Sequence, residues 1–134
     1  MLYTSYISNM KNLPEGKMVL ITRWTPKSLD LSKFNDACWE SILAPSDSLL
    51  ASYKNGIMTK SEMLSKYKEY LDNSLAVNEL CYQLAEEVKE GKNVYLICYE
   101  KAAHDCHRSV LAQFISEKFN IPWKEYMTEE VSYL

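Results

Sequence analysis

The order of its apolar segments predicts an α/β fold for this chain. Three observations carry that expectation: short β-branched and aromatic runs at residues 2–7, 18–22 and 93–99, amphipathic helical spacing between them, and a strand–loop–helix–strand succession from 93 to 126. At 134 residues the chain has the length of one domain, and residues 1–134 are read as a single domain. Its 47% apolar and 25% charged composition excludes a disordered or fibrous chain.

Each element has a local reason. Residues 2–7 (LYTSYI) and 18–22 (MVLIT) read as strands, the second after a Pro14-Glu15-Gly16 turn signal. The ten residues between them approach the lower limit for a parallel crossover. From 23 to 58 the pattern weakens, but a structureless loop of that length is unusual in a compact domain. Residues 32–40 and 46–53 each carry a cap and apolar spacing for a short helix, and Asn55-Gly56 closes the second. Thr59 and Glu62 form a capping box ahead of Leu64, Tyr67 and Leu71. A further helix follows Asn73, with Val77, Leu80, Cys81, Leu84 and Val88 on its apolar stripe and Gly91 past its end. Residues 93–99 (NVYLICY) are the clearest buried strand. A helix over 107–119 turns Val110, Leu111, Phe114, Ile115 and Phe119 inward, Asn120 and Pro122 stop it, and 123–126 return as a strand. Such βαβ units cross over right-handedly.

Composition narrows the function classes. Fifteen basic and eighteen acidic residues leave a net charge of −3, which argues against a coat of bulk positive charge for nucleic acid. No apolar run approaches the ~20 residues of a membrane helix. The opening MLYTSYISNM lacks the basic and apolar regions of a secretory signal. With no export signal, the four cysteines, Cys38, Cys81, Cys98 and Cys106, are expected reduced and the protein cytoplasmic. Ten tyrosines point to a tyrosine-rich core and rim.

The chemistry-bearing segment runs from Leu96 to Arg108, off the carboxyl end of the best strand and into a helix. In open α/β sheets ligands sit at that edge. Asp105 suits the helix cap, which places Cys106, His107 and Arg108 in the first turn. Unpaired amides and a partial positive charge there favour an anion, and Arg108 adds a planar fork for phosphate or carboxylate. The same field favours a Cys106 thiolate, with His107 or His104 to move a proton and Glu100 to orient one of them. Singly, each has an ordinary role: a cap, a solvated histidine, a core Cys98, an Arg108 paired with Asp105 on the surface. Together, Cys98, Glu100, His104, Cys106, His107 and Arg108 put six reactive or polar groups into eleven positions. No metal is expected, since the spacing is not that of paired zinc ligands and adjacent Cys106 and His107 diverge by about 100° on a helix. No cofactor fingerprint is present.

At these residues the sequence resembles the bacterial family catalogued as domain of unknown function family 488. The family's hallmark, a strand ending in Cys-x-Glu followed by Cys-His-Arg, corresponds to Cys98, Glu100, Cys106, His107 and Arg108. Leu43-Ala44-Pro45-Ser46 with Leu49, Leu50, Tyr53, Lys54, Asn55 and Gly56 is similar to its central block. Arg23 with Pro26 and Lys27, and Asn12-Leu13-Pro14-Glu15, are further matches. The chain departs from the family's commoner pattern at Trp24, where many relatives carry a small residue. The resemblance implies a compact Rossmann-like three-layer domain with a mainly parallel central sheet. It also implies that Arg23 ends its strand on the edge of Cys98, so that two arginines converge near one helix N-terminus.

The expected function is a pocket for a phosphate-bearing small molecule, nucleotide-like. Arg23, Arg108, Cys98, His104 and Lys27 would contact the ligand, and Cys106, His107 and Glu100 would serve a cysteine-based reaction. The alternatives are a nucleic-acid-binding module of a defence or repair system, using Arg23, Lys27, Lys54, Lys101 and Arg108 with stacking aromatics, and a structural partner protein without catalysis.

Overall fold

Five short strands pair in one sheet in the order β3-β2-β4-β1-β5: β1 Leu2–Tyr6, β2 Lys17–Leu20, β3 Ala37–Trp39, β4 Val94–Cys98 and β5 Trp123–Glu125. All four pairings are parallel. The computed structural model describes residues 1–24, 26–99 and 107–127. Among the described residues, four α-helices accompany the sheet: α1 Asp47–Lys54, α2 Lys60–Asn73, α3 Leu75–Lys89 and α4 His107–Phe119. The molecule is therefore α/β, as the sequence pattern predicts, and of the three-layer Rossmann-like type that the family resemblance implies.

β4 holds the centre, and all five of its residues are buried. Its alternation feeds two cores. Val94, Leu96 and Cys98 face the helical layer, packing with Tyr67, Leu71, Cys81, Leu84, Leu111 and Ile115. Tyr95 and Ile97 face the other side, with Met10, Met18 and Leu20, under 3₁₀ segments at Ile7–Asn12 and Leu31–Lys33. Tyr3 stacks on Tyr95 at 5.3 Å and Tyr126 closes edge-on at 6.1 Å from Tyr95, so the tyrosine-rich core is real.

The helix ends follow the sequence signals. Thr59 Oγ1 accepts from the Glu62 amide at 3.1 Å, while the Glu62 carboxylate accepts from the Thr59 amide at 2.8 Å. Ser46 and Ser74 cap α1 and α3, and Gly91 takes the left-handed φ of 99° after α3. Met63, Tyr67 and Leu71 are the buried residues of α2. One expectation fails. Residues 32–40 do not form a helix: Asp30 accepts from the Ser32 amide and hydroxyl, pinning one 3₁₀ turn, and residues 37–39 extend β2 as an edge strand. Backbone pairing with Met18–Leu20 satisfies the amides there, and it outweighs a weak local helical preference.

The topology also fixes where the connections of neighbouring strands part. β1 and β4 are neighbours, but the chain leaves β1 across the 3₁₀ face and enters the helical layer through α4 after β4. Connections that depart to opposite faces from adjacent parallel strands leave a cleft outside their carboxyl ends. Tyr6 and Cys98, paired in register, stand at that point.

Candidate functional site

Arg108 occupies the first turn of α4, a place where an arginine ordinarily reaches into water. Here it is wholly buried, the largest fully buried side chain among the described residues. Its Nε and Nη2 donate to the two carboxylate oxygens of Glu125 at 3.1 and 3.0 Å, a bidentate clamp. Nη1 donates to Cys98 Sγ at 3.0 Å, and the guanidinium carbon lies 5.8 Å from the centre of the Tyr6 ring. Glu125 in turn accepts a short hydrogen bond from the Thr4 hydroxyl. The parallel register of β1 with β5 sets Thr4 opposite Glu125, so the cluster is built on three adjacent strands and one helix.

The structure gives Arg108 a buried pairing with Glu125; Asp105, its other candidate partner in the sequence, lies outside the described residues. The reason for the burial is the inward face of α4: Arg108 shares it with Leu111, Ala112 and Ile115. A guanidinium taken out of water needs a paired carboxylate, and β5 supplies one. Sequence reasoning missed Glu125, Thr4 and Tyr6. The available signals were a polar Thr4-Ser5 pair inside an otherwise apolar strand and a carboxylate in a three-residue one.

The other site residues are placed as follows. His107 Nε2 lies 2.6 Å from the Ile21 carbonyl; a carbonyl only accepts, so Nε2 carries the hydrogen and Nδ1 is the acceptor in the neutral ring. Tyr67 meets the imidazole edge-on at 5.6 Å. This contact ties α4 to the carboxyl end of β2, the strand that leads into Arg23. Arg23 is half-buried; its Nε and Nη2 donate to the carbonyls of Ala44 and Pro45 at 3.1–3.2 Å, and Asp47 lies 3.5 Å away. It therefore anchors the Ala44-Pro45-Ser46 turn at the entry to α1. Lys27 is exposed in the turn after Pro26. Cys98 is disulfide-bonded, against the expectation of a reduced thiol, whereas Cys38 and Cys81 are free. Glu100, His104 and Cys106 lie outside the described residues, as do Lys101 and Asp105. The structure brings Cys98 together with Arg108, and His107 with the end of β2.

Burial pushes the Cys81 thiol up to about 12 and raises Cys38 as well, so neither is an activated nucleophile. No group of three or more candidate metal ligands occurs among the described residues. Among those residues, no helix is long and apolar enough to cross a membrane. A depression of about 800 Å³ lies away from this cluster, between the end of α2, α3 and the end of α4.

Against known proteins, one family model matches residues 2–119; its description is DUF488-N3a, the active DUF488-N3 subclade. No curated protein matches the chain, and no solved structure does.

Proposed function

The chain belongs to the DUF488 family, and from that premise we propose that its β1/β4 crevice takes a phosphate-bearing small molecule of nucleotide-like size. The observation that carries the reading is the wholly buried Arg108 with Nη1 on Cys98 and its other edge locked by Glu125. Packing alone does not call for such a cluster, because hydrophobic residues of the same volume are commonly as stable or more so. Its position beside the point where the β1 and β4 connections part supports the reading, since ligands of open α/β sheets sit there. The matched subclade is described as active.

In this reading the first-turn amides of α4 and the guanidinium of Arg23 meet the phosphate, and Lys27 adds positive field. Arg108 is a positioning group: its donors hold Cys98 and Glu125. Cys106, next to His107 in sequence, is the nucleophile; His107 and His104 serve the proton and Glu100 orients them.

Thermal denaturation under reducing conditions, with inorganic phosphate and a panel of nucleotides and phosphate esters, tests it. A ligand at a hundredfold its Kd stabilises by about 2.7 kcal/mol, and Arg23→Ala should remove most of that gain. After reduction and removal of the reductant, iodoacetamide should label Cys106 faster than a model thiol at neutral pH. If no anion stabilises the protein, the reading is lost.

A further inference from the structure

Three large aromatic side chains stand in water along the carboxyl edge of the sheet. Trp24, Trp39 and Tyr99 are 58, 42 and 51% exposed, and they follow or end β2, β3 and β4, three consecutive strands of the sheet. Leaving indole and phenol rings in solvent forfeits much of their burial energy. Scattered, they would need no explanation. These are neither scattered nor loose. Trp39 Nε1 donates to the Thr22 carbonyl at 2.7 Å, and the Tyr99 hydroxyl reaches the Trp24 carbonyl at 3.5 Å. Both bonds converge on the 22–24 segment, which carries Arg23. Among the described residues, no other ring stacks on any of the three.

We infer that this aromatic edge is a stacking subsite for the nucleobase of the ligand, with Trp39 and Trp24 as the residues that select a planar heteroaromatic ring. The inference rests on the reading of the adjoining crevice as a phosphate site. It supplies what that reading lacks, namely the class of organic group the phosphate carries. A purely aliphatic phosphate gains little from tethered indoles, and a sugar face gains less than a planar base. A base does, because every nucleobase presents a π-face. Charge points to the same occupant: Arg23 lies between Thr22 and Trp24 and Lys27 follows within the next turn, so an anionic group and a flat ring are both provided for in one short segment. A single nucleotide suits this chain better than a polynucleotide, since the net charge of −3 opposes a long polyanion.

Calorimetric titration of the full chain with adenosine 5′-monophosphate, ribose 5-phosphate and a single-stranded oligonucleotide tests the assignment. Stacking of one base should make the mononucleotide bind roughly tenfold or more tighter than the sugar phosphate. Trp39→Ala and Trp24→Ala should each erase most of that ratio, and Trp39→Phe should keep it. Because Trp39 also anchors to Thr22, Trp24→Ala is the variant that leaves the fold's hydrogen bonds intact. In a Trp123→Phe background, where Trp24 and Trp39 are the remaining tryptophans, the mononucleotide should quench selectively excited tryptophan fluorescence and ribose 5-phosphate should not. Equal affinity for mononucleotide and sugar phosphate overturns the stacking subsite while the phosphate site stands. Failure of both to bind overturns the two together. Preference for the oligonucleotide, falling steeply with salt, replaces the subsite with a nucleic-acid surface.

Discussion

Glu125→Ala is the sharpest probe of the buried cluster. The Arg108 side chain is 0% exposed and that of Glu125 is 22% exposed, so the substitution leaves a guanidinium charge in the interior with only a narrow route for water. Two hydrogen bonds, at 3.1 and 3.0 Å, disappear with the carboxylate. Removing one partner of a buried pair costs about 3–5 kcal/mol, against roughly 0–1 kcal/mol for an exposed one. The partial exposure of Glu125 places the expected loss near the lower figure, about 3 kcal/mol. At an m of about 1.5 kcal/mol/M, the urea midpoint falls by about 2 M. The double variant Arg108→Met with Glu125→Leu removes both charges and should recover most of that loss. A single-variant loss below about 1 kcal/mol, or a double variant as unstable as the single, would refute the argument that the Glu125 carboxylate compensates the buried Arg108 charge.

Three further outcomes follow from other parts of the fold. Cys81, raised from 9.0 to about 12 by burial, stays protonated in the folded state while the unfolded thiol ionises, so stability should fall as pH rises from about 9 toward 12; Tyr95 and Cys38 act with the same sign, and urea midpoints of wild type and Cys81→Val at pH 8 and 10.5 isolate the Cys81 share as a shallower fall in the variant. Gly16→Ala should destabilise by about 1–3 kcal/mol in the same assay, because its Cβ would sit 2.5 Å from the Asn93 carbonyl oxygen and 2.8 Å from the Tyr95 ring. Tyr67→Phe deletes the buried hydroxyl that donates to the Leu43 carbonyl and should cost about 1–3 kcal/mol by thermal denaturation, with no loss of ligand response.

The parts of the fold legible in the sequence are those decided locally. The Thr59–Glu62 capping box, Gly91 at the end of α3 and the unbroken apolar run of β4 need no knowledge of distant residues. β3 was hidden for the opposite reason. Ala37-Cys38-Trp39 has little strand character of its own and becomes a strand through pairing with Met18–Leu20. The site divides the same way. Arg108, His107 and Cys98 could be picked out by type and position. That Arg108 turns inward depends on Glu125, seventeen residues later, and on the β1–β5 register that sets Thr4 beside it. The expected convergence of two arginines carries this lesson too: the family resemblance put Arg23 after the right strand, but the carbonyls of Ala44 and Pro45 claim two of its nitrogens.

What the topology then adds is a reason for the cluster's location. A buried Arg–Glu pair could stand anywhere the chain tolerates its desolvation, and for stability alone an apolar pair would serve as well. In this molecule Thr4, Cys98, Arg108 and Glu125 gather on β1, β4, β5 and α4, at the carboxyl ends of the strands beside the point where connections part to opposite faces. That is where a parallel sheet offers its loops and helix N-terminus to a ligand. On this argument the clamp by Glu125 keeps Arg108 from acting as a free cation and makes it a rigid donor aimed at Cys98. The anion is left to the backbone amides and Arg23, and the ring to the indoles beyond them. Cost and position together, more than either alone, make the edge a binding site in our reading.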